Sequence, residues 1–212
     1  MKKLLVTCLL TGIVVAQNTY TEKEFYETGK LKSEVPYTNN EKDGIGKSYS
    51  QTGKQLTEAS YKNGILNGVI KEFYETGKLK SEIPYSNNEK NGIGKLYSKT
   101  GKQLAEIPYK NGVINGVFKE YGMSGRLKQE IAFENGVLNG AFKEFYETGK
   151  LKSETPFKDG KRNGLSKVYN TTGKIKSALF TKGTLSSIIK VNSETDKVLV
   201  EINIKDGKVT NG

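Results

Sequence analysis

"EFYETGKLKSE" is written three times in this chain, letter for letter, at Glu24–Glu34, Glu72–Glu82 and Glu144–Glu154. Its centre, Glu75-Thr76-Gly77 in the second copy, lies between two runs of alternating apolar and polar residues. Alternation with a period of two, interrupted by Thr-Gly, marks two short strands joined by a turn. A three-residue loop places Gly77 in the left-handed region and closes a type I turn with a bulge. That register sets Tyr74 against Lys78, Phe73 against Leu79 and Glu72 against Lys80.

Working outward, the turn glycine recurs as Gly29, Gly53, Gly77, Gly101, Gly125, Gly149 and Gly173, always 24 residues apart. A second glycine column, Gly44, Gly68, Gly92, Gly116, Gly140 and Gly164, keeps the same step. Residues 24–71 and 72–119 are nearly one text, the trace of a two-unit duplication. Four residues before each turn glycine stands an aromatic: Phe25, Tyr49, Phe73, Tyr97, Tyr121, Phe145, Tyr169. Eight after it stands another: Tyr37, Tyr61, Tyr85, Tyr109, Phe133 or Phe157. Tandem units of this length, each unable to bury its apolar side alone, stack on their neighbours. The expected fold is all-β: an elongated single-layer antiparallel sheet of tandem β-hairpins with a C-terminal β cap.

Two further regularities refine it. The positions flanking the turn change together: Glu24/Lys32, Glu72/Lys80, Glu120/Lys128 and Glu144/Lys152, against Ser48/Leu56 and Leu96/Leu104. Opposed strand residues behave this way. Glu34, Glu58, Glu82, Glu106, Glu130 and Glu154 are each followed thirteen residues later by a lysine, Lys47 to Lys167. If the second strand of one hairpin pairs with the first of the next, a Glu–Lys ladder runs down the sheet, with most of these pairs in salt-bridge range. Phe73, Leu79, Val69 and Ile83 are expected on the core side, and stacked aromatics between units are expected to supply the stability.

The ends differ from the middle. Lys2 and Lys3, the apolar run Leu4–Val15 and the small residues up to Ala16 read as a signal peptide over residues 1–16. Cys8, in "LVTC", follows Thr7 where lipoprotein signals prefer a smaller residue, which argues against lipidation. With cleavage after Ala16 the lone cysteine leaves, and the chain is exported to a periplasmic, surface-associated or secreted location without disulfides. The array spans residues 17–183. Over 184–212 the text changes; Ile188, Val198, Val200, Ile202 and Ile204 alternate like strands, as expected of a cap on the last exposed edge.

Chemistry is sparse. The chain has no histidine, so the commonest proton shuttle and metal ligand is missing. Its carboxylates recur beside lysines in near-identical surroundings, whereas an acid–base pair needs two unlike environments. Asp43, Asp159, Asp196 and Asp206 read as turn residues. "DGIGKSYS" and "NGIGKLYS" lack the spacing of a phosphate loop. No enzyme, no cofactor and no metal site is expected.

The net charge of +11 drops to +9 without Lys2 and Lys3. Interleaved with glutamates, these lysines suit a solvated sheet face. The candidate contact strip is Tyr26, Lys30, Tyr74, Lys78, Tyr146 and Lys150, against the alternative that the tyrosines cover adjacent hairpins. The expected partner is a protein, with anionic lipid head groups or glycans as the alternative and no nucleic acid.

Units of the form "NGVIKEFYETGKLKSEIPY" resemble MORN-repeat variants, the bacterial relatives of the membrane occupation and recognition nexus repeat. The likeness rests on the aromatic after a glycine, the "Y-x-x-x-G-K-L" hairpin centre and the "Y-K-N-G" exit, over about residues 20–183. The resemblance implies a single-layer hairpin sheet and binding roles: protein association, phospholipid contact in eukaryotic members, and an antitoxin-like label on many bacterial ones.

Overall fold

The computed structural model describes residues 17–184, 187–192 and 198–211. The proposed leader, with Cys8 and the cleavage point at Ala16, lies outside them, as does Asp196.

Seven hairpins follow one another. β1 (Thr19–Phe25) and β2 (Leu31–Thr38) form the first; β3 (Glu41–Lys42), β4 (Gly44–Tyr49) and β5 (Gln55–Lys62) the second; β6 (Ile65–Phe73) and β7 (Leu79–Ser86) the third. β8 (Glu89–Lys90), β9 (Gly92–Tyr97) and β10 (Gln103–Lys110) make the fourth; β11 (Val113–Ile114), β12 (Gly116–Tyr121) and β13 (Leu127–Glu134) the fifth. The sixth is β14 (Val137–Phe145) with β15 (Leu151–Lys158), and the seventh β16 (Lys161–Tyr169) with β17 (Ile175–Thr184). β18 (Ser187–Asn192), β19 (Val198–Lys205) and β20 (Lys208–Asn211) close the chain. Across the seven hairpins the pairing is antiparallel throughout, within a hairpin and from one hairpin to the next, so the seven units share one open sheet.

Both turns of the unit have a local cause. Tyr74 N–H donates to Lys78 O at 2.8 Å and Gly77 N–H to Tyr74 O at 2.7 Å, with Gly77 at φ +82°. This is the bulged loop expected from Thr-Gly. At the opposite edge, Asn63 and Gly64 both take positive φ, +49° and +79°, which defines the two-residue turn favoured by Asn-Gly.

The second glycine column makes a bulge. Opposite the single Ser60 stand three residues, Asn67, Gly68 and Val69, between the pairs Ala59–Ile70 and Tyr61–Leu66. A Cβ at Gly68 would lie 2.6 Å from the Ser60 Cβ, and at Gly92, 2.8 Å from Pro84 Cγ. All four prolines of the chain, Pro36, Pro84, Pro108 and Pro156, occupy this place, where the ladder is already broken and no N–H is needed. Such bulges bend the strand and let one layer curl over its own inner side.

That inner side is not the expected one. Phe73 does face Leu79, but the register then slips, so Glu72 lies opposite Ser81 and Lys80 is the extra residue. Ile83 consequently pairs with Ile70, and Val69 with Pro84. The buried columns are those of Ile70 and its partner Ile83: Phe118 is 0 % exposed, Ile107 and Ile131 1 % each, whereas Phe25 at the start of the other column is 58 % exposed. Where the buried column holds glycine, an aromatic from the next strand fills the space: Tyr61 lies over Gly46 and Tyr109 over Gly94. Such filling, along with the aliphatic contacts of the core, does the work expected of stacked rings; the ring stack described is Tyr20 on Tyr37, 5.0 Å apart.

The co-varying positions meet despite the slip. Lys32–Glu24, Lys80–Glu72, Lys128–Glu120 and Lys152–Glu144 are ion pairs at 3.3, 2.8, 2.7 and 3.9 Å. Their counterparts Leu96 and Leu104 are instead buried in the core.

The C-terminal strands dock at a place the sequence did not indicate. Val137 pairs with Lys208, Leu138 N–H donates to Gly207 O, and Val209 N–H to Gly136 O. Ile202 and Ile204 join the cluster of Phe133, Leu138 and Phe157. The contacts that the structure describes lie at the start of β14 and at the Gly160 turn.

Candidate binding surface

Three rows run side by side on the outer face, because residues alternate across a strand and paired residues share a face. The aromatic row is Phe25 to Tyr169. Next to it lies the ladder: Lys23, Glu34, Lys47, Glu58, Lys71, Glu82, Lys95, Glu106, Lys119, Glu130, Lys143, Glu154 and Lys167 stand opposite one another in unbroken register. All six expected pairs are therefore opposed. Three of them close as ion pairs, Glu58–Lys71 at 3.9 Å, Glu82–Lys95 at 3.4 Å and Glu106–Lys119 at 3.6 Å. This is half and not most: Lys143 turns to Glu154 at 3.8 Å, and Glu34 accepts from the Tyr49 hydroxyl at 2.7 Å. Opposed charges of this kind contribute little singly. What they fix is register, since a slipped strand brings like charges together.

The aromatic row is tied to the ladder. Tyr97 donates to Glu82 at 2.8 Å as Tyr49 does to Glu34. Burial, and after it these carboxylates, push both hydroxyls up to about 12.

The third row was missed. Each residue after a second-column glycine is apolar: Ile45, Val69, Ile93, Val117, Ala141, Leu165. Four of these are half exposed, Ile45 50 %, Ile93 54 %, Val117 44 % and Leu165 47 %, and the prolines lie beside them, as in Val69–Pro84, Ile93–Pro108 and Ala141–Pro156. An apolar strip continuous over successive units is the kind of surface that marks an interaction site. The signal was in the sequence, a column without one polar residue, but it reads equally as core.

The expected contact residues have structural partners. Tyr26, Tyr74 and Tyr146 each donate to the carbonyl of the tyrosine in the next hairpin, Tyr49, Tyr97 and Tyr169, at 2.6, 2.7 and 2.7 Å. Lys30 Nζ reaches Gln51 O at 2.9 Å and Lys78 Nζ reaches Thr100 O at 3.3 Å; Lys102 repeats this with Met123 O, and Arg126 with Glu147 O. Lys150 stands exposed at the same place in its unit. These side chains join hairpin to hairpin. Among the described residues no three of Asp, Glu and Cys gather as a metal site.

No curated protein matches the chain. The family model described as "MORN repeat variant" matches four times, at residues 21–39, 42–63, 66–87 and 138–159. Three of these windows open two residues before a bulge glycine and run to the two-residue turn, so one window is one unit as the hairpins define it. The units between residues 88 and 137 have the same two turns and the same offset at the bulge glycine, between Glu82–Lys95 and Tyr85–Lys90 and between Glu106–Lys119 and Tyr109–Ile114. MORN repeats are non-catalytic modules that bind proteins or membranes. With repeat, register and turn chemistry in agreement, the chain belongs to the MORN repeat variant family.

Proposed function

We propose that this chain is a non-enzymatic, exported scaffold that binds protein along the outer face of its repeat array. The observation that supports this reading is the pairing of a self-neutralised ladder with the exposed strip Ile45–Ile93–Val117–Leu165. Each ladder lysine has a glutamate opposite it, so the face carries little net field to attract a polyanion. The apolar row beside it has no cover, and desolvating it favours a partner with apolar side chains of its own. Binding of this kind tolerates salt, whereas electrostatic association weakens as the Debye length shrinks. The leader-like residues 1–16 are the basis for export.

A second reading, contact with anionic lipid or glycan, draws on one place: Lys158, Lys161 and Arg162 line a single cleft with Asp159. One experiment separates the two. The chain lacking residues 1–16 is immobilised and exposed to envelope extract and to phosphatidylserine vesicles, at about 50 mM and about 500 mM salt. Protein capture that survives high salt and is lost in Ile93→Asp/Val117→Asp supports the scaffold. Salt-labile vesicle binding, lost in Lys161→Ala/Arg162→Ala and untouched by the outer-face change, refutes it.

A further inference from the structure

The edge of the array is a row of stacked turns. The second residue of each donates its N–H to the carbonyl of the second residue in the strand after the previous turn. Thus Gly64 binds Lys42 O, Asn88 binds Leu66 O, Gly112 binds Lys90 O, Gly136 binds Ile114 O and Gly160 binds Leu138 O, all at 2.8–3.0 Å. That leaves the N–H of this second strand residue facing the next turn. At Leu66 it is met by Asn88 Oδ1 at 2.8 Å. At Leu138 the next turn residue is Gly160, which has no side chain to offer, and Gly207 O of the C-terminal hairpin takes its place at 2.9 Å.

The C-terminal hairpin achieves this by imitating a repeat. Asp206 and Gly207 adopt φ +51° and +76°, close to the values of Asn135 and Gly136 in the row itself. The fit needs glycine on both sides. A Cβ at Gly160 would lie 2.9 Å from Asp206 O, and one at Gly207 would lie 1.8 Å from Gly160 O. The acceptor is therefore a glycine–aliphatic–glycine triplet, Gly136, Leu138 and Gly160, spaced by the repeat.

The same triplet occurs once more along the row. Gly112, Ile114 and Gly136 stand 24 residues earlier, whereas the other places carry asparagine or lysine at one position or more: Asn40/Lys42/Gly64, Gly64/Leu66/Asn88, Asn88/Lys90/Gly112. The structure has a cleft at that spot, of about 270 Å³. Tyr109, Gly112, Ile114 and Gly136 form one wall, and Lys208, Val209 and Thr210 of the docked hairpin form the other. It is smaller than the roughly 300–1,000 Å³ typical of small-molecule sites, and backbone and aliphatic groups dominate its wall.

We infer that the Gly112–Ile114–Gly136 cleft is a second docking site for a β-hairpin tip of the Asp-Gly or Asn-Gly type, supplied by a protein partner and seated beside the chain's own C-terminal hairpin. The tip's glycine carbonyl accepts from Ile114 N–H, and the residue two further on donates to Gly112 O, as Gly207 and Val209 do one unit along. Backbone groups supply the recognition, as in other forms of strand addition, and the glycine requirement supplies the selectivity. This site lies at the turn edge and is independent of the outer face, so either can fail without the other.

The test uses the chain lacking residues 1–16 and a synthetic peptide of Ile202–Asn211, INIKDGKVTN, as probe. Titration followed by amide chemical shifts should show one site, with the largest changes at Ile114 and Gly112. Gly136→Asn copies the arrangement at Asn88 and closes the site with a side chain; a Cβ there meets nothing within 4 Å, and affinity should drop at least tenfold. A peptide carrying Gly207→Ala should lose binding to the same extent, a control that leaves the protein unaltered. Gly64→Asn, outside the site, should change nothing. Absence of binding, binding that persists in Gly136→Asn, or shifts centred on Leu138 (exchange with the chain's own hairpin) would each overturn the inference.

Discussion

Replacing Gly140 by alanine separates two demands that the repeat glycines meet. At Gly149, in the hairpin loop, φ is +82° and a Cβ would have nothing within 4 Å. Alanine there bears the cost of a left-handed conformation, about 1–2 kcal/mol, offset by the about 0.4–1 kcal/mol gained from a stiffer unfolded chain. A net loss of about 1 kcal/mol is expected. At Gly140 the backbone is also strained for an L-residue, φ +120°, and a Cβ would lie 2.7 Å from the Ala132 Cβ. Overpacking of this kind adds about 1–3 kcal/mol, so Gly140→Ala should cost about 2–4 kcal/mol.

The clash can be removed from the other side. Ala132→Gly withdraws the group that the new Cβ meets, so in the double variant only the backbone part of the cost should remain. Urea unfolding of the four proteins, read as a double-mutant cycle, should give a coupling energy of about 1–2 kcal/mol with m-values unchanged. Equal losses at Gly140 and Gly149, or strict additivity in the cycle, would refute the argument that the second glycine column exists for close approach at the bulge.

Three other outcomes follow from the structure. Burial pushes the Tyr109 hydroxyl up to about 12, and Tyr49 and Tyr97 reach the same value through burial followed by their carboxylate partners. All exceed the usual tyrosine value of about 10, so the stability they contribute is full below about pH 10 and disappears as pH climbs through about 12; absorbance at about 295 nm should show these phenols titrating late, with unfolding in that window. Ile202→Ala removes a side chain that is 1 % exposed and should cost about 2–5 kcal/mol locally, seen as faster hydrogen exchange at Leu138 and Val209, whose N–H groups hold the C-terminal hairpin. Glu106→Lys places a third cation in the row between Lys95 and Lys119; a loss of about 1–2 kcal/mol at about 20 mM salt should shrink at about 500 mM, and a salt-independent loss would mean that the ladder does not act through charge.

Much of the unit was legible because its causes are local. Thr-Gly and Asn-Gly dictate their turns through φ alone, and a fixed thirteen-residue interval between Glu82 and Lys95 leaves two paired strands few other registers. The core side was not legible, because the loop bulge at Lys80 shifts every later residue of the strand by one place and sends Ile83 to the opposite face from Val69. Composition pointed the wrong way as well. The column of Ile70 reads Gly46, Ile70, Gly94, Phe118, Phe142, Ser166, too mixed to mark an interior. It is the interior nonetheless, since Tyr61 and Tyr109 reach across to fill the glycine positions.

A column that is apolar in six successive units yet half exposed at four of them is not explained by folding, for the Ile45–Leu165 row contributes nothing to the buried cluster. Fully burying one such side chain is worth about 1.5–3 kcal/mol, and at the half-exposed positions roughly half of that stays unused in the isolated chain. The buried column tolerates glycine and serine because neighbouring rings compensate for them; the exposed column has no neighbour to compensate and still admits no polar residue. Copying of units accounts for some of this, but Val117, Ala141 and Leu165 belong to units whose texts have diverged, and they keep the property while changing the residue. What is held constant is apolar surface at a fixed interval, about 10 Å per unit at ordinary strand spacing. A partner that meets this face should therefore present its own apolar groups at a matching interval; a second array does so, whereas the same-face side chains of an extended strand recur every ~7 Å.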